Sequence, residues 1–169
     1  MLATIATMNR LIDRTKGFTI VELVIVIVVI GILAAISIIG FGRYQADTRD
    51  ARRASSASVI VEALEKYHDL NGEYPGCTAV TSATVTTDTL KGVNPATFIA
   101  PQATSGTTNS IQCTSAGYTL SATNSADFFE YQGDGTAACN TGTSCLSFIL
   151  KYKKETTSAI LTTASRRST

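Results

Sequence analysis

Twenty consecutive residues from Leu23 to Gly42 carry no charged side chain, and this run constrains the chain more than any other feature. A helix of about 20 apolar residues matches the roughly 30 Å thickness of a bilayer hydrocarbon core. The chain is therefore expected to pass through a membrane at some stage. Directly before the run stand Lys16-Gly17-Phe18-Thr19-Ile20-Val21-Glu22. Glu22 is the anomaly, since a carboxylate at the centre of a membrane helix costs about 2.5 to 3.5 kcal/mol on insertion scales. At the helix start the cost falls, because the helix dipole favours an anion in the first turn. The plain reading is an interfacial glutamate with no task.

An ordinary secretory signal places its apolar region before the cut, to be discarded with it. Here the apolar run follows a short basic leader, Met1 to Lys16, which holds Arg10, Arg14 and Lys16 against Asp13. That balance suits a cytoplasmic tail. The far flank carries Arg43, Arg49, Arg52 and Arg53, so membrane-proximal cations alone leave orientation open.

The string G-F-T-I-V-E-L-V-I-V-I-V-V-I-G-I-L-A-A, Gly17 to Ala35, resembles the N-terminal signature of type IV prepilins and of the related pseudopilins of type II secretion. The resemblance is close over Lys16 to Ala35 and looser to about Pro75. It implies cleavage between Gly17 and Phe18 by a membrane-bound prepilin peptidase, followed by N-methylation of Phe18. It also implies that Glu22 pairs with the N-terminal amine of a neighbouring subunit during filament assembly. Chemically this is sensible, because an amine or a carboxylate buried alone is costly and a buried pair offsets part of that cost.

The implied organisation is a cleaved leader at 1–17, a membrane-spanning and filament-core helix at 18–42, an amphipathic second half at 43–72, and an extracellular region at 73–169. Removing the leader takes away Arg10, Arg14, Lys16 and Asp13, so 14 basic and 13 acidic residues become 11 and 12. A nearly neutral subunit is not a strongly cationic nucleic-acid binder.

Beyond Gly42 the chain lacks proline and glycine until Gly72 and keeps a helical rhythm. Val59, Ile60, Ala63, Leu64, Tyr67 and Leu70 recur at spacings of three and four, predicting one apolar stripe that covers a sheet. Asn71-Gly72 supplies a stop, with Pro75 beyond it. A helix from Phe18 to Leu70 would be roughly 80 Å long. Gly31, Gly40 and Gly42 interrupt it. Gly31, Ala35 and Ser37 are small enough to let neighbouring helices approach, and Gly40 with Gly42 could form a soft point.

The remainder is expected to be a wrapping connection from Cys77 to about Pro101, then strands at Tyr118 to Ala122, Phe128 to Tyr131, Leu146 to Tyr152 and Thr157 to Thr162. Turns are expected at Gly133-Asp134-Gly135 and Asn140 to Gly142. The expected fold is α+β: a long N-terminal helix packed on a small antiparallel sheet of three to four strands.

Cys77, Cys113, Cys139 and Cys145 lie on one side of the membrane run without the spacing of a zinc site, which reads as two disulfides outside the cytoplasm. Four cysteines allow three pairings. The short N-T-G-T-S interval favours Cys139 with Cys145, leaving Cys77 for Cys113.

No catalytic constellation is expected, and no cofactor or metal. His68 is the only histidine and sits within the helical rhythm. Asp127, Glu130 and Asp134 form an acidic cluster, but their spacing matches no EF-hand loop. Arg49, Arg52 and Arg53, or Lys151, Lys153 and Lys154, could touch DNA; the favoured reading pairs the arginines with Asp47 and Asp50 between subunits and leaves the lysines solvating a strand edge. There is no Asn-x-Ser/Thr acceptor for sugars.

The resemblance thus implies a non-enzymatic pilus subunit with a cytoplasmic-membrane precursor and an extracellular filament on a bacterial or archaeal-type cell surface, the bacterial one favoured. Adhesion, twitching motility and DNA uptake are the expected uses, and the alternative is a minor pilin or pseudopilin of a secretion or competence system. A membrane-anchored extracellular binding domain is a further alternative. Expected partners are identical or related subunits, the prepilin peptidase, an assembly ATPase and its membrane platform.

Overall fold

Helix-forming sequence dominates the first half of the protein. The structure is a computed structural model and describes residues 17–114, 119–121, 123, 126–134, 139 and 145–167, with backbone alone at Ile39 and Gly40. Helix α1 runs from Ile20 to Asn71 and continues through Gly31, Gly40 and Gly42. The chain divides into two compact units on either side of the Phe41–Gly42 bond.

In the first unit the described side chains of α1 are exposed, including Leu23, Ile27, Ile30 and Leu33. This is the one helical stretch among the described residues that is long and apolar enough to cross a bilayer.

In the second unit α1 presents Ala57, Ile60, Val61 and Leu64 to a core completed by Phe98, Ile111, Phe129, Tyr131, Phe148 and Leu150. The stripe expected from periodicity is thus divided. Ile60 and Leu64 are buried, whereas Val59 and Leu70 are exposed and Ala63 and Tyr67 are half-buried. Two faces of the same helix are apolar: one meets the core, and the Val59, Ala63, Tyr67 and Leu70 face lines an open groove of about 520 Å3 with Leu90 to Val93. The helix ends where Gly72 adopts φ +80° and its amide reaches back to the His68 carbonyl at 2.8 Å, a left-handed stop that glycine accommodates without strain.

The connection expected to be irregular contains helical turns: α2 at Cys77–Thr81, α3 at Val85–Asp88 and a 3-10 turn at Pro95–Phe98. The last is started by Asn94, whose side-chain oxygen accepts from the Ala96 amide at 2.9 Å, and by Pro95 in the first turn. Short Ser- and Thr-rich segments carry little periodicity, so these elements left no clear signal.

Four strands form one sheet in the order β1 (Ile111–Cys113), β2 (Phe129–Gly133), β3 (Phe148–Lys153) and β4 (Ile160–Ala164). The α+β class stands as expected, but the sheet is mixed rather than wholly antiparallel. β1 is parallel to β2, while β2–β3 and β3–β4 are antiparallel. Parallel pairing requires a crossover of a dozen or more residues, and the stretch 114–128 supplies one.

Sequence periodicity did not reveal β1, a strand of only three residues. The strand expected at Tyr118 to Ala122 is not seen: Thr119 to Ser121 are irregular, while Tyr118 and Ala122 lie outside the described residues. Gly135 and the turn expected at Asn140 to Gly142 also lie outside them.

Asn109 joins α2 to β1. Its amide nitrogen donates to the carbonyls of Val80 and Ser82 at 2.7 and 2.9 Å, and its oxygen accepts from the Ile111 amide at 2.9 Å. Tyr74 and Cys145 exchange two backbone hydrogen bonds, of 2.8 and 2.9 Å, tying the chain leaving α1 to the approach to β3.

Candidate functional site

The segment singled out by the sequence begins at Gly17. Gly17 to Thr19 are irregular and exposed, with Phe18 at 75% of its full accessibility, and a Cβ added at Gly17 would meet nothing within 4 Å. The Gly17–Phe18 peptide bond therefore lies on an open stretch immediately before the helix.

Thr19 and Glu22 then close a reciprocal cap. The Thr19 hydroxyl accepts from the Glu22 amide at 3.2 Å, and Glu22 Oε2 accepts from the Thr19 amide at 3.4 Å and from its hydroxyl at 3.3 Å. Each side chain satisfies an amide that the first helical turn leaves without an intrahelical partner. The first full turn closes with the Leu23 amide on the Thr19 carbonyl at 3.3 Å. Glu22 thus has a local structural task, unlike the idle glutamate of the plain reading. The signal was present as T-I-V-E, a threonine followed three residues later by glutamate ahead of an apolar run. These contacts use one oxygen of a carboxylate that can accept several hydrogen bonds, and the residue stays exposed.

The other candidate residues serve the architecture of the second unit. Cys77 is bonded to Cys113, fastening α2 to the end of β1, and Cys139 is bonded to Cys145. Asp134, Cys139 and Cys145 approach one another, but disulfide-bonded sulfurs offer no thiolates to a metal.

Within the acidic cluster, Glu130 is fully buried and accepts from Lys151 Nζ at 2.8 Å, the Leu120 amide at 2.7 Å and the Thr114 hydroxyl at 2.9 Å. Asp134 accepts from the Ser147 amide at 2.7 Å. These carboxylates brace the sheet and its turn. His68 lies against Tyr74 with ring centroids 4.5 Å apart, and its buried Nδ1 has no hydrogen-bond partner. It packs at the helix end.

The two basic patches are also corrected. Arg53 is buried and pairs with Asp50 at 2.8 Å, while Arg49 Nη2 meets Glu155 at 2.5 Å, so these ion pairs lie within one chain rather than between subunits. Lys151 and Lys153 belong to β3, which lies between β2 and β4 and is no edge. Lys153 is buried, and Lys151 bridges Glu130 to Gln132.

The junction sequence is similar to that of known proteins. The family described as the prokaryotic N-terminal methylation motif matches residues 12–38. The chain is 33% identical over 66 residues to a type IV major pilin protein of Myxococcus xanthus, covering 39% of this chain and 30% of that one. It is 38% identical over 78 residues to a fimbrial protein of Neisseria meningitidis serogroup B, covering 46% and 45%. It is 48% identical over 50 residues to a fimbrial protein of Pseudomonas aeruginosa, covering 30% and 32%. The matched stretch thus spans less than half the length of these relatives. No solved structure matches the chain. The methylation motif lies across the Gly17 junction, and over its N-terminal part the chain is similar to proteins named as type IV pilin and fimbrial proteins.

Proposed function

We propose that this chain is the structural subunit of a type IV pilus, made as a membrane-anchored precursor and polymerised into an extracellular filament. The observation that carries the reading is the junction itself: an exposed Gly17–Phe18 bond, the Thr19–Glu22 cap, and an uncharged helical run, in that order. As a pilin-like chain it is a structural protein rather than an enzyme.

In this reading a prepilin peptidase cuts after Gly17, removing residues 1–17, and Phe18 becomes the methylated N-terminus. The carboxylate of Glu22 receives the amine of a neighbouring subunit, so that both charges enter the filament core as a pair. Residues 18–42 form that core, 43–72 carry the helix into the head, and 73–169 face the medium. An assembly ATPase and a membrane platform supply the work. Adhesion, twitching motility and DNA uptake on a bacterial surface are the uses such a fibre serves.

Intact-mass spectrometry of the sheared extracellular fraction tests this directly. The expected result is an abundant chain starting at methylated Phe18 that gains four hydrogens on reduction. A processed but scarce chain would instead assign it to the minor pilins or pseudopilins. An uncut chain confined to the membrane would remove the filament reading.

A further inference from the structure

Beside the start of β1 the second unit holds a polar pocket of about 330 Å3, separate from the groove along α1. Thr104 and Thr107 line it from a turn closed by the Thr107 amide on the Thr104 carbonyl at 3.1 Å. Ser110 and Gln112 line it from the segment that enters and forms β1, and Asp127 and Phe128 from the approach to β2. The volume stands at the lower end of the roughly 300–1,000 Å3 typical of ligand sites.

The frame of this pocket is fixed while its polar side chains are left over. Ser110 is held on both sides through its backbone: its amide donates to the Phe98 carbonyl at 2.7 Å, and its carbonyl accepts from the Phe129 amide at 2.9 Å. The residue is only 2% exposed, and its hydroxyl oxygen accepts from the Ala100 amide at 2.9 Å. A serine hydroxyl also carries one donor. Among the described residues no acceptor takes it. Gln112 follows two positions on, along an extended chain whose side chains repeat every second residue. Glu130 stands opposite Gln112 in the ladder but is already engaged with Lys151, the Leu120 amide and Thr114. The half-buried Gln112 amide therefore makes no hydrogen bond among the described residues, and neither do the hydroxyls of Thr104 and Thr107.

We infer that this pocket binds a neutral sugar ring. No lysine, arginine or histidine lines it, so an anion would meet the Asp127 carboxylate without a counter-charge. A single carboxylate is also too few for a hard cation, which collects six or more oxygens at protein sites. A hydrocarbon would strand the Ser110 donor and the Gln112 amide away from water. A pyranose satisfies both kinds of surface. Its hydroxyls donate and accept at once, matching the serine and threonine hydroxyls, the glutamine amide and the carboxylate, and its C–H face can lie on the half-buried Phe128 ring. The site lies wholly within the second unit and does not rest on polymerisation through the N-terminal helix.

The test is a saturation-transfer NMR titration of the purified full chain, in a detergent without a sugar headgroup, with the methyl glycosides of glucose, galactose and mannose. The wild type is compared with Gln112→Leu and Thr107→Val, which keep the side-chain volume and remove the polar group, and with Lys91→Ala in the groove along α1. The expected result is saturable millimolar binding of at least one glycoside, weakened about three- to tenfold by each pocket variant, the range that one lost hydrogen bond produces. Lys91→Ala should bind as the wild type does, and thermal unfolding should be unchanged throughout. If one pocket variant unfolds, the other carries the comparison. Failure of all three glycosides to bind overturns the proposal. So does binding that the folded pocket variants retain at full strength, or binding that only Lys91→Ala removes.

Discussion

Arg53 reaches Asp50 across one turn of α1 with Nη1 and Oδ1 2.8 Å apart, and both side chains are buried. Asp50 also accepts from the Glu155 and Thr156 amides at 2.7 and 3.1 Å and from the Thr156 hydroxyl at 2.7 Å. Arg53 donates onward to the Ala126 carbonyl and to Gln102, each at 2.9 Å. One helical turn thus fastens the β3–β4 connection on one side and the approach to β2 on the other. Buried ion pairs rarely stabilise more than apolar residues of similar volume would, but removing one partner strands the other. Asp50→Ala is expected to lower unfolding free energy by about 3 to 5 kcal/mol, measured by chemical denaturation of the full chain in detergent. Adding Arg53→Met should recover part of the loss, and a single-variant loss below about 1 kcal/mol would contradict a dependence of Arg53 on Asp50.

The same network predicts acid sensitivity. Burial alone would raise the Asp50 carboxyl, but the amides of Glu155 and Thr156, the Thr156 hydroxyl and Arg53 hold it below its ordinary value. Glu130 likewise resists burial through Lys151, the Leu120 amide and Thr114, and Glu155 is lowered chiefly by its hydrogen bonds with Arg49. A carboxyl depressed in the folded state contributes stability that is complete above its unfolded value, near 4, and lost as pH falls through the lower folded value. Melting temperature should therefore hold level from about pH 7 to 5 and fall steeply below about 4. Glu155→Gln should melt lower at neutral pH and show a shallower acid decline.

Much of this architecture can be read from the residues, for reasons that differ by element. The uncharged Leu23 to Gly42 run and the Asn71-Gly72 stop are strong local signals, and α1 ends at Asn71 with Gly72 in the left-handed conformation. L-S-F-I-L-K-Y alternates well enough to mark β3. β1 and its parallel pairing are tertiary facts: three residues cannot display a period, and what fixes them is Asn109, the Cys77 tether and the long crossover. Arg53 looked like a surface cation because spacing along a helix does not show which charges find partners from distant segments. Ala126 and Glu155 lie 73 and 102 positions further on. The Thr19–Glu22 cap is legible as T-I-V-E, a threonine three residues ahead of a glutamate, although the place of Glu22 beside an apolar run makes its charge the more conspicuous feature.

Gly133 is held by crowding rather than by its backbone angles. A Cβ there would stand 2.3 Å from the Cys139 sulfur and 2.6 Å from the Cys145 sulfur, closer than real atoms approach. The disulfide lies directly on the end of β2, and no flexible side-chain end can yield. Gly133→Ala is expected to destabilise the second unit by about 1 to 3 kcal/mol, as overpacking does. It should also leave a fraction of chains with Cys139 and Cys145 free. Thiol alkylation followed by peptide mass mapping reads this, and full oxidation with unchanged unfolding would show that the strand shifts freely.

Two roles converge on Glu22, and substitution can part them. Glutamine serves in the reciprocal cap as glutamate does, since its side-chain oxygen can accept from the Thr19 amide, but it carries no charge for an incoming amine. Alanine removes both. Thr19→Val keeps the carboxylate and breaks the cap, at a cost of about 1 kcal/mol to the helix start. If assembly depends on charge pairing, Glu22→Gln and Glu22→Ala should both abolish sheared filaments while cleavage after Gly17 continues, and Thr19→Val should retain them. If Glu22 matters only as a cap, Glu22→Gln should assemble like the wild type and Thr19→Val should fail with Glu22→Ala. Filament yield, with the N-terminus of each chain established by mass spectrometry, decides between them, because cleavage confirms that every variant reached the membrane in the correct orientation.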